Sequence, residues 1–125
     1  MSPLAEVAAQ TQYLSLLIAH AGSEDSLLPA LLERVSTHQR ALSFLLPLGD
    51  VPFHVVPLRV GQLVKSTPDA NSVGECLKTA VQDLSYTVLH TLSLPTPLHH
   101  GVEASLWELH RDIEKIAFYL RDKVL

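Results

Sequence analysis

Apolar residues recur along this chain at alternating steps of three and four, most regularly near its end. Over residues 101–125, Val102, Leu106, Leu109, Ile113, Ile116 and Leu120 fall on one stripe of a helix, with charged residues such as Glu103, Glu108, Arg111 and Asp112 on the other faces. Such a stripe needs partner helices to leave water, and three further segments can supply them. Ser2-Pro3 reads as a cap and first helical position, followed by Leu4, Val7, Ala8, Leu14, Leu17, Ile18 and Ala21 in a helical period that Gly22 stops. This predicts a first helix at about 3–21.

The next helix has two candidate caps. If Ser23 capped it, Pro29 would fall six positions in and break it; with Ser26 as the cap, Pro29 sits in the first turn, where its missing N–H costs little. Leu28, Leu31, Val35, His38, Leu42 and Leu45 then form a seam widened by Leu32 and Ala41, which predicts a helix at about 27–46, closed by Pro47 and Gly49. Ser72 and Glu75 have the spacing of a capping box ahead of Val73, Leu77, Ala80, Val81, Leu84, Val88 and Leu92. This predicts a third helix at about 73–92, and the last is expected at about 102–124.

Between the second and third helices the pattern changes. Pro47, Pro52 and Pro57 recur every five residues among valines, which excludes a long helix or a central strand. The expectation is an extended, partly buried crossover with a turn or two of helix after Pro57; a hairpin is the alternative. The fold class that follows is all-α, a single-domain four-helix bundle with a long Pro/Val-rich crossover between helices 2 and 3. Its competitor is a three-helix core with one helix donated to a dimer partner.

Composition narrows the function classes. With 47% apolar and 18% charged residues in 125, the chain can build one core. Its net charge is -4 and its 9 Lys and Arg are dispersed, which argues against nucleic acid and anionic lipid as partners. No apolar run reaches a membrane-spanning length, and the N-terminus lacks the basic region of a signal peptide. One cysteine, Cys76, precludes an intrachain disulfide, so the expected location is cytoplasmic.

Motifs for chemistry are sparse. No nucleophile elbow, phosphate-cradling glycine loop or other cofactor motif is present, so no catalytic residue and no cofactor is assigned. Cys76 opens the third helix, where the helix dipole favours a thiolate, but Glu75 beside it opposes that. The seven histidines show no Glu-x-x-His or His-x-x-x-His pair of the kind that binds metal in bundles, so no metal site is assigned either. His38 stands out because it lies in the seam between Val35 and Leu42. A buried imidazole needs a hydrogen-bond partner, and the two readings are a satisfied core or rim histidine and a ligand contact, with His20, His90 or His110 as possible companions.

The last helix also carries a second, sparse apolar line. At about 100° per residue, Trp107 and Phe118 project within about 20° of one another, roughly 150° from the seam, with Leu125 in line. This line holds the only tryptophan, and aromatic residues so placed suit an interface. Either a protein partner, including a second copy, covers it, or the crossover does with Phe53, Val55 and Val56. The leading expectation is a non-catalytic interaction module that self-associates; a small-molecule- or metal-binding bundle built on His38 is the alternative.

Overall fold

A computed structural model describes residues 2–21, 28–49, 51–52, 54–66, 73–95 and 98–121. It is all-helical: α1 (Pro3–Ala21), α2 (Leu28–Leu45), a 3-10 turn (Leu46–Gly49), α3 (Val55–Lys65), α4 (Val73–Leu92) and α5 (His100–Arg121), with no strand among the described residues. The described residues thus form five α-helices where the periodicity predicts four. The added one is α3. Pro57 lies in its first turn, where a missing N–H breaks no helical bond, and Val56 and Val60 then bury one face.

Local chemistry sets the helix starts. The Ala5 N–H donates to Ser2 Oγ at 3.1 Å, so Ser2 caps α1 just before Pro3. The Gly101 N–H donates to His99 Nδ1 at 3.1 Å, and Glu103 N–H closes the first turn of α5 on His99 O at 2.9 Å. His99 is therefore the cap of α5. The expected caps Ser26 and Ser72 and the stop at Gly22 lie outside the described residues.

All six residues of the α5 stripe are buried, Leu106 to 0% exposure and Ile113 to 1%. The helix in contact with most others is nevertheless α1, which packs against α2, α3 and α4, while α5 packs against α2 and α4. That explains why α1 has almost no polar face. Ala5, Val7, Ala8, Ala9, Thr11, Leu14 and Ser15 are all buried, and the two hydroxyls are satisfied within the helix, Thr11 on Val7 O and Ser15 on Gln12 O, both at 2.7 Å.

Helix directions follow from cross-helix contacts. Arg34 and His38 of α2 reach Asp112, whereas Leu45 at the far end of α2 lies beside Gly101, so α2 and α5 are antiparallel. Lys78 and Val81 of α4 share a groove with Leu120 and Arg121, and His90 and Ser93 share another with Trp107, so α4 and α5 are antiparallel too. It follows that α2 and α4 run the same way. The chain leaving Leu45 must travel back about 27 Å, the length of the 18-residue α2, before α4 can start.

One ion pair ties α3 to α1. Arg59 grips the Glu6 carboxylate, its Nε 2.9 Å from Oε2 and its Nη2 3.0 Å from Oε1, while Gln10 Nε2 donates to Oε1 at 2.9 Å. Burial pushes the Glu6 carboxyl up, but the Arg59 and Gln10 hydrogen bonds and the Arg59 charge bring it below its ordinary 4.5. Because the folded value is the lower one, the contribution of the pair is complete above the ordinary value and is lost as pH falls through the folded one. Glu6→Gln should cost roughly 1 kcal/mol in chemical denaturation at about pH 6, and its gap to the native chain should narrow and close as pH falls below the ordinary carboxyl value of 4.5 and through the lower folded one. A gap unchanged on acidification would contradict the pairing.

Candidate functional site

The two flanks of α5 differ in chemistry. On the flank facing α2, His38 Nε2 donates to Asp112 Oδ2 at 2.6 Å across the two helices. The Arg34 Nη1 lies 3.4 Å and the Lys115 Nζ 3.9 Å from the other carboxylate oxygen. The side chains of His38 and Asp112 are 12% and 21% exposed, so this is a half-buried polar clasp set among apolar neighbours. One ring nitrogen of His38 is thus held by Asp112, and neither groove described next is lined by either residue.

On the flank facing α4, large apolar side chains remain in solvent. Tyr86 and Leu89 of α4 are 73% and 43% exposed, and Trp107 and Phe118 of α5 are 49% and 65% exposed. They border two grooves of about 730 and 650 Å³ that share Tyr86 and Leu89 and so form one continuous surface. Core residues Val81, Ile113 and Leu120 make the floor of the first groove, with Lys78, Glu114 and Arg121 at its edges. Because this surface is open along its length, it suits a docked stretch of protein better than an enclosed small molecule. Aromatic contacts stiffen it. Tyr86 stacks on His90 with ring centroids 6.1 Å apart, Trp107 meets His110 edge-on at 6.2 Å, and the Arg121 guanidinium lies 4.9 Å from the centre of the Phe118 ring.

A polar irregularity lies within the same face. His110 Nε2 is buried and makes no hydrogen bond; Glu114 Oε1 is 3.4 Å away, close enough for an ion pair but without hydrogen-bond geometry. A buried donor or acceptor left in this condition is costly unless something else completes it.

Of the residues singled out from the sequence, Trp107 and Phe118 lie on this face, Leu125 falls outside the described residues, and His38 is on the opposite flank. The proposed cover does not form from the described part of the crossover: α3 packs on α1, Val56 is buried, and Trp107 and Phe118 stay exposed. Phe53 lies outside the described residues. Tyr86 and Leu89 were not anticipated. The angular count that found the α5 line finds them as well, since about 100° per residue places them about 100° to 180° from Leu77 and Val88 on α4.

Among the described residues, no three His, Cys, Asp or Glu come together to hold a metal ion. His20 and His90 are exposed, and Cys76 is half-buried. No described helix is long and apolar enough to cross a membrane. No protein-family model, curated protein or solved structure matches the chain.

Proposed function

We propose that this chain is a non-catalytic, cytoplasmic interaction module: α1, α2, α4 and α5 act as a four-helix bundle, residues 46–72 are its crossover, and the α4–α5 face binds protein. The observation that carries the reading is the concentration of Tyr86, Leu89, Trp107 and Phe118 on one face. The other large exposed apolar residues, Leu16, Phe44, Leu48, Leu58 and Val64, are spread over α1, α2, the 3-10 turn and α3. Scattered apolar residues are ordinary on a protein surface, whereas a contiguous aromatic patch with charged edges is the composition of a binding site. In this reading His38 and Asp112 hold α2 to α5 and so keep α5 in position to present the face.

The test uses the chain in an extract of its own cells. It should elute well above its 13.7 kDa monomer mass. Tyr86→Lys with Phe118→Lys should return it to that mass while leaving its helical circular dichroism unchanged, because both side chains are mostly in solvent. Native elution at the monomer mass, or elution that ignores the two lysines, would overturn the proposal.

A further inference from the structure

We infer that the occupant of the α4–α5 face is a second copy of this chain, related by a two-fold axis that crosses α5 at the level of residue 112 and sets each α5 antiparallel to its counterpart. The inference rests on the interaction reading and adds the partner and the register. Its basis is that the α4-facing flank of α5 reads as its own complement from either end. Glu103 and Arg121 are both exposed, share one angular position, and lie nine residues on either side of 112. A two-fold rotation at that level brings each Glu103 to the Arg121 of the other copy, twice per pair.

The same operation matches the interior of the face. Trp107 lies five residues before the axis and Ala117 and Phe118 five and six after it, so each indole meets the alanine and phenylalanine of the other copy. His110 and Glu114 lie two residues on either side, so the buried His110 Nε2, which makes no hydrogen bond within its own chain, comes to the level of the other copy's Glu114. Tyr86 and Leu89 both line the two grooves, which places them midway along the face where the axis crosses α4, and Tyr86, the more exposed of the two, meets its counterpart there. An unrelated partner gives no reason for acid and base, or large and small apolar groups, to be placed symmetrically about one level. An isologous contact requires it.

Size is compatible with a modest dimer. From Glu103 to Arg121 the face runs about 27 Å, and two packed helices make it about 20 Å wide. The two copies together cover about 1,000 Å², at the lower bound for a specific interface, so association should depend on concentration within the ordinary laboratory range.

Sedimentation velocity across a dilution series of the full chain tests this. The native chain should show a monomer–dimer equilibrium. Glu103→Arg alone and Arg121→Glu alone each turn two attractive contacts into repulsive ones and should each raise the dissociation constant by about tenfold. An equimolar mixture of the two variants should recover near-native association, because each pairs correctly only with the other. That recovery also shows that both variants fold. If either loses helical circular dichroism, Tyr86→Lys on the axis replaces it and must abolish the dimer. A native chain that stays monomeric throughout overturns the second-copy inference, while the extract experiment judges the interaction reading separately. A dimer indifferent to the charge exchanges, or a mixture no better than its components, overturns the register.

Discussion

Ile113→Ala should lower the stability of the fold by about 2–5 kcal/mol and its melting temperature by about 10 °C or more. Ile113 is 1% exposed at the middle of the α5 stripe, between Leu109 and Ile116, which are 1% and 2% exposed. Truncation removes about three methyl or methylene groups from the core and leaves a cavity that long helices locked by neighbours on both sides cannot close. Because Ile113 also floors the α4–α5 groove, the variant should weaken association through loss of the fold, whereas Phe118→Lys should do so with the fold retained. Differential scanning calorimetry separates the two. An Ile113→Ala transition at the native temperature would mean that α5 does not bury this stripe.

The second large effect is expected at Ala9, which is 0% exposed on the helix that packs against three others. Ala5, Ala8 and Ala9 keep the surface of α1 low and let its neighbours approach closely. Ala9→Leu inserts three carbons at a fully enclosed position of α1, and overpacking of this kind costs about 1–3 kcal/mol. The same change at the exposed Ala104 of α5 should be nearly neutral, because the helix propensity of leucine is only slightly below that of alanine. Urea denaturation of the two variants side by side checks the contrast. Equal stability would show that α1 is not enclosed as described.

The legible and illegible parts of this fold have different physical origins. The α5 stripe could be read because α5 is one-sided: large aliphatic groups lie on the core face and charges elsewhere, so the periodicity of the sequence is the periodicity of burial. In α1 the buried set includes Ala5, Ala9, Thr11 and Ser15, residues whose small size or hydroxyl hides them from a count of hydrophobic side chains. The density of prolines reduced α3 to a turn or two after Pro57, although Val56 and Val60 one turn apart carried the signal of a longer helix and Pro57 sits where a helix accepts proline. The placing of His38 in the seam of α2 gave no indication of Asp112, its partner 74 residues away, since that pairing exists only once α2 and α5 have docked. The candidate face was half visible. Trp107 and Phe118 follow from α5 alone, but Tyr86 and Leu89 join them only because α4 and α5 pack antiparallel at this height.

The same geometry explains why the flanks of α5 differ in kind. Toward α2 the half-buried positions are polar and satisfied by one another, through His38, Asp112 and Arg34. Toward α4 they are aromatic and unsatisfied, with His110 Nε2 left without a hydrogen bond. A closed polar clasp needs nothing further, whereas an open aromatic face with an orphaned ring nitrogen is incomplete as it stands.

The chain contains its own probe of that incompleteness, because its only tryptophan is Trp107, 49% exposed on the face in question. The most direct measurement is acrylamide quenching of tryptophan emission across a dilution series of the purified chain. If a second copy closes the α4–α5 face, quenching is weak and emission blue-shifted at high concentration, and both move toward solvent values on dilution, in step with the fall in solution mass. Quenching that is strong and constant at every concentration would contradict the account.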